Sequence, residues 1–128
     1  MNNYLTQPVH AFKKCTCCGH TWETRDMFLS DPAIETVGYQ VNFYNLELGF
    51  FLFNHLVSGC GTTMSIEAGQ FKDLYDGPIY SIPLNSTDQC LEYCLNKYDL
   101  RPCPAECECA YVREILQLIR NWTKNPKN

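Results

Sequence analysis

The stretch that decides the fold is Ile34-Glu-Thr-Val-Gly-Tyr-Gln-Val-Asn-Phe-Tyr44, joined by Asn45-Leu-Glu47 to Leu48-Gly-Phe-Phe-Leu-Phe-Asn-His55, then Leu56-Val-Ser-Gly-Cys-Gly61 and Thr62-Thr-Met-Ser-Ile66. In its first part Val37, Tyr39, Val41 and Phe43 alternate with Gln40 and Asn42, the period of two that marks a strand with one buried face. Residues 48–55 are almost continuously apolar, which suits a central strand. The glycine-bearing segment 56–61 reads as a turn and Thr62–Ile66 as a third strand. Together they predict an antiparallel β-meander.

Upstream of the meander, Ala11–Lys14 reads as a short strand leading into Cys15-Thr-Cys-Cys-Gly-His20. Thr24 is a candidate N-cap for one or two helical turns over 24–29, stopped by Asp31-Pro32. Residues 1–10 read as a loose arm. Downstream, 68–75 reads as a short helix ended by Asp76-Gly-Pro78, and Ile79–Ile82 as a fourth, edge strand. Ser86-Thr-Asp88 is a cap cluster for a helix over about 88–97. Pro102 breaks that helix. Pro104 fits the first turn of a last helix running to about Trp122, with Cys103 just before it. Cys109, Val112, Ile115, Leu116 and Ile119 form the buried stripe of this helix. Arg120, Lys124 and Lys127 complement the C-terminal end of its dipole. The expected fold is therefore α+β: a small antiparallel meander with a metal knuckle, followed by a C-terminal helical hairpin. It is expected as a single domain over 1–128, with a β-rich part at 11–83 and a cysteine-rich helical part at 84–124.

Apolar residues make up 45% of the 128 and aromatics 13%, enough for a packed core. The formal net charge of -4 is the wrong sign for neutralising phosphates, so no nucleic-acid partner is expected. The longest apolar run, Leu48–Phe53, is far below the ~20 residues of a membrane helix. Residues 1–10 lack a secretory pattern, which predicts a cytoplasmic protein and leaves the sequons at Asn85 and Asn121 without meaning. Nine cysteines under reducing conditions point to metal ligation or thiol chemistry, and their odd number rules out complete disulfide pairing.

The first cysteine group is Cys15, Cys18, His55 and Cys60. Cys15-x-x-Cys18-Gly19 lets two thiolates converge on one ion, with Gly19 relieving the crowding of the turn. His55 and Cys60 flank the turn between the second and third strands. Two ligand pairs on two tight turns resemble the zinc ribbon layout over roughly residues 13–66. The resemblance is architectural: the second pair is His-x4-Cys, and a helix-like insert separates the pairs. It implies a structural zinc with four protein ligands. His20 is an alternative to His55, and Cys17 is left over.

The second group is Cys90, Cys94, Cys103 and Cys107, spaced C-x3-C, eight residues, C-x3-C. On helices, i and i+4 share a face, so four sulfurs could meet across a hairpin. Zinc, an iron–sulfur cluster or two disulfides fit this spacing. The disulfide option resembles the twin C-x3-C helical hairpins of oxidising compartments. Cys109 is expected to point elsewhere, into the core.

No phosphate loop, nucleophile elbow or H-E-x-x-H is present. The expected function is a non-enzymatic, zinc-binding structural or interaction module whose partner is another protein. The alternative is an iron–sulfur or thiol-based redox protein using the C-terminal cysteines.

Overall fold

The structure is a computed structural model and describes residues 11–84 and 87–125. The arm at 1–10, Asn85 and Ser86, and Lys127 lie outside the described residues. The chain is mixed α+β, with two small antiparallel sheets and a C-terminal helix. Strands β1 (Lys13–Lys14) and β2 (Thr21–Trp22) pair in a short hairpin around the first cysteine turn. A short helix α1 (Arg25–Ser30) follows. Strands β3 (Ile34–Gln40), β4 (Phe50–His55) and β5 (Thr63–Glu67) form the meander in the order β3-β4-β5, so β4 is central. Helix α2 (Ala110–Arg120) packs against β3 and the 3-10 segment Ala68–Leu74.

Side-chain alternation is clean on β4 and β5. Phe51, Phe53 and His55 face inward from β4, and Met64 and Ile66 from β5. On β3 both Ile34 and Tyr39 are buried although their parity differs. An irregularity between Thr36 and Gly38 adds one residue to the ladder and flips the facing. The strand stops at Gln40, short of the expected residue 44, because the Asn42 carboxamide accepts the N–H groups of Tyr44 and Asn45 and turns the chain. Helix α1 starts as expected, with Thr24 Oγ1 accepting from the Met27 N–H.

The interior is aromatic. Phe28 meets Phe53 edge-on at 4.9 Å and Trp22 at 5.0 Å, while Phe71 packs on Phe51 and Phe53. Cys94, Cys107, Cys109, Val112, Ile115, Leu116 and Ile119 belong to the same buried cluster as the sheet residues. No helix among the described residues is long and apolar enough to cross a membrane.

The expected helical hairpin does not form. Where a helix over 88–97 was anticipated, only Tyr93–Leu95 makes a 3-10 turn. Leu91 and Leu95, which would have been its apolar stripe, are 49% and 66% exposed and do not enter the core. Asn96 and Asp99 instead accept the backbone N–H groups of Tyr98 and Arg101, local bonds that compete with helix. Helix α2 begins only at Ala110, so Cys103 and Cys107 are not on a helix. Pro102 and Pro104 disfavour helical geometry at the residues before them. In addition, the Glu108 N–H is committed to the Ile82 carbonyl. Ile79–Ile82 forms no strand, and both isoleucines are exposed.

Candidate metal centre

The first turn is built by local bonds. The Cys15 N–H donates to the His20 carbonyl at 2.7 Å and the Gly19 N–H to the Cys15 carbonyl at 2.8 Å. Gly19 adopts φ +83°, a conformation that glycine reaches without a Cβ penalty. The second turn hangs from the end of β4. The His55 N–H donates to the Thr62 carbonyl, and the His55 carbonyl accepts from Val57 and Gly61. Gly59 and Gly61 take φ +83° and +73° and curl the chain so that Cys60 returns beneath His55.

These turns bring Cys15, Cys18, His55 and Cys60 together, with one ligand atom from each and all within 4.8 Å of one another. Cys15 Sγ lies 3.6 Å from Cys60 Sγ, and Cys18 Sγ lies 3.6 Å from His55 Nδ1. A tetrahedral ion with sulfur at about 2.3 Å requires sulfurs about 3.7 Å apart, close to what is observed. The group can hold a metal ion. Parity on β4 explains why His55 participates, since it shares the inward face with Phe51 and Phe53. The His55 ring packs edge-on against Trp22 at 4.9 Å. Trp22 is fixed in turn by donating to Asp31 Oδ2 at 2.8 Å. Asp31 is thus a buried orienting residue that the sequence reading missed; its only signal is an acidic residue before a proline.

The electrostatics favour one thiolate. Burial opposes ionisation of Cys15, but the backbone N–H of Cys18, the His55 side chain, the N–H of Cys17 and the Cys60 thiol outweigh it and bring its pKa down to about 6. The N–H of His20 favours the Cys18 thiolate, yet burial and the neighbouring Cys15 and Cys60 push that thiol up. Cys60 is raised in the same way: the Thr62 N–H favours its thiolate, but burial, Cys15 and Cys17 prevail. A divalent cation relieves this conflict, because it accepts several thiolates at once. His20 and Cys17 stay outside the ligand set. His20 meets Trp22 edge-on at 4.6 Å, and Cys17 is exposed.

The second group is dispersed differently from the expected four. Among the described residues, only the first group forms a set of three or more ligand atoms all within 4.8 Å of one another. Cys90 Sγ accepts from the Glu92 N–H, and Cys103 Sγ faces the Ala105 carbonyl at 3.9 Å. Cys109 does not point away. Its sulfur lies 3.4 Å from Cys94 Sγ and 3.4 Å from Cys107 Sγ. Cys107 Sγ also accepts from the Leu84 N–H at 3.2 Å. The bond with Cys109, aided by Arg113, brings the Cys94 thiol down to about 7 against the opposing effect of burial. The partner thiolate of Cys94 and burial together drive the Cys109 thiol strongly upward. Arg113 is wholly buried, and its guanidinium donates to the carbonyls of Arg101 and Asp99. The signal for Arg113 was present as a cation four residues after Cys109, on the face of α2 that is otherwise apolar.

No family model, curated protein or solved structure matches the chain.

Proposed function

We propose that the protein is a zinc-binding, non-enzymatic module in which the ion ties the β1–β2 hairpin to the β4–β5 turn and so holds a surface for another protein. The observation that carries this reading is the convergence of Cys15, Cys18, His55 and Cys60 from two glycine-bearing turns. Three sulfurs and one imidazole are a donor set of structural zinc. Four protein ligands leave no position for substrate, which supports a structural role over a catalytic one. Two ligand pairs on two turns joined by a small sheet are also the arrangement of a zinc ribbon, here with a His-x4-Cys second pair. The interaction role is supported by Phe43, Tyr44 and Leu48, apolar residues exposed together between β3 and β4.

The test is elemental analysis of protein purified without added metal, with a parallel free-thiol count. One zinc per chain is expected, lost in Cys15→Ser and in Cys60→Ser. A chain with no bound metal, or one whose metal survives both substitutions, would overturn the assignment.

A further inference from the structure

A second chemistry is visible at the other end of the molecule, away from the metal ligands. Cys94 and Cys109 approach sulfur to sulfur at 3.4 Å, and Cys109 touches Cys107 on its far side at the same distance. The three sulfurs form a chain of contacts with Cys109 in the middle, and among the described residues only the first group is gathered as a candidate metal set. A chain with a shared central thiol suits sulfur exchange better than metal capture. Closing either contact to a bond of about 2.04 Å requires a movement of little more than an ångström.

Three features single out the Cys94 contact. Cys94 borders a surface cavity of about 560 Å³ whose wall includes Tyr39, Gln40, Val41, Phe43 and residues 94–98. Cys94 and Cys107 are both buried, but the sulfur of Cys107 is held by the Leu84 N–H. The buried guanidinium of Arg113 places Nη1 3.8 Å from Cys94 Sγ, a cation that favours a thiolate there. Asp99 Oδ1, 3.7 Å from Arg113 Nη2, moderates that charge without cancelling it, because it is the more exposed of the two. The hydroxyl of Tyr39, in the cavity wall, is buried without a hydrogen-bond partner among the described residues. Burial and the nearby sulfurs of Cys94 and Cys109 keep that hydroxyl protonated, leaving an uncommitted donor beside the pair.

We propose that Cys94 and Cys109 form a dithiol centre that exchanges with low-molecular-weight disulfides entering by this cavity. The Cys94 thiolate attacks one sulfur of a disulfide RSSR, the S–S bond breaks, and the first thiolate leaves and takes up the proton that Cys94 gave to solvent. Cys109 then loses its proton to solvent and attacks the Cys94 sulfur, expelling the second RS⁻, which is protonated. The balance is RSSR plus two protein thiols giving two RSH and one Cys94–Cys109 disulfide, with two electrons passed to the small molecule. Excess RSH reverses it. The centre does not depend on the metal reading, because none of the four metal ligands takes part.

The experiment uses the full chain, metal content measured on the same sample, and oxidised glutathione as the probe under anaerobic conditions. After alkylation, intact mass and peptide mapping are expected to show two thiols lost and Cys94 joined to Cys109, restored by reduced glutathione. Cys109→Ser is expected to accumulate a glutathione adduct on Cys94, and Cys94→Ser to lose the exchange while keeping its metal content. Wild-type mapping decides the matter without either variant. Full alkylation of Cys94 and Cys109, or a link confined to Cys107–Cys109 or Cys15–Cys60, would overturn the proposal, whatever the metal content proves to be.

Discussion

Arg113 is a charged side chain with no exposed surface. It persists because Nε donates to the Arg101 carbonyl at 2.7 Å and Nη2 reaches the Asp99 carbonyl. Replacing it with methionine keeps the volume but leaves those carbonyls without their donor, and each lost bond to a charged group is worth about 1.5–3 kcal/mol. Arg113→Met is expected to lower the unfolding free energy by about 3 kcal/mol, read by urea titration. An unchanged midpoint would mean that the carbonyls find other donors. At Gly61 the argument is conformational. A Cβ there meets nothing within 4 Å, yet φ is +73°. Gly61→Ala therefore costs only the left-handed penalty of about 1–2 kcal/mol. It is also expected to weaken binding of the proposed metal ion, measured by competition with a chelator, since the same φ brings Cys60 under His55. Neither role was read from the sequence, although the position of Arg113 carried a signal. An arginine at a core position looks like an interruption of the stripe, and a turn glycine does not reveal which ligands it aligns.

At the scale of elements, the loop 94–101 is an edge piece laid along β3. The Tyr39 N–H donates to the Lys97 carbonyl at 2.7 Å, and a Cβ on Gly38 would meet that same carbonyl oxygen at 2.5 Å. Gly38→Ala must push the loop away, and overpacking of this kind costs about 1–3 kcal/mol. The expected readout is faster amide exchange at Tyr39 and across 94–101, with β4 and β5 unaffected. The loop's own turn is electrostatic. Hydrogen bonds from Arg101, aided by Arg113 and opposed by burial, hold the Asp99 carboxyl down to about 2. A carboxyl lowered by folding contributes stability that is complete above its ordinary unfolded value and is lost as pH falls through about 2. Stability of the wild type is therefore expected to drop between pH 4 and pH 2 by more than that of Asp99→Asn, measured by thermal unfolding at each pH. Some elements were readable: β4 as the central strand from its apolar run, β5 after its glycine-bearing turn, and α1 from its Thr24 cap, whereas the alternation read over 34–44 missed the irregularity between Thr36 and Gly38. The loop was not, because i, i+4 cysteines imitate a helix face. What prevented a helix was side-chain capture of backbone groups by Asn96 and Asp99, together with the lack of any core beneath Leu91 and Leu95.

For the whole molecule, one buried cluster runs from Cys15 and Trp22 through the sheet aromatics to α2. The metal group lies at one end of that cluster, with Cys15 a member of it, Cys60 packed against it and His55 set against Trp22. Removing metal is therefore expected to loosen part of the structure and not all of it. Under a chelator, amide exchange should quicken over 12–22 and 56–62, while β3, the middle of β4 and α2 stay protected. The Trp22 fluorescence should shift, followed in Trp122→Phe to remove the second indole. Uniform loss of protection would show that the ion supports the entire fold. The first site was legible because its ligands sit on turns with recognisable glycines and its histidine has the parity of the strand. The second was only half legible. Its spacing announced sulfur chemistry, but which sulfurs meet depends on packing across the 90–109 connection, where no local pattern operates.

The four candidate ligands of the first site are unequally sheltered: Cys15 and His55 are buried, Cys60 is half-buried and Cys18 is open. A competing thiol or chelator meets Cys18 first. For the proposed ion, exchange would then follow a fixed sequence, with one arm detaching while three remain, and its lifetime would be governed by that exposed arm more than by total affinity. If the proposed ion is bound there, tight holding at equilibrium and quick hand-over are compatible, along a route that begins on one side.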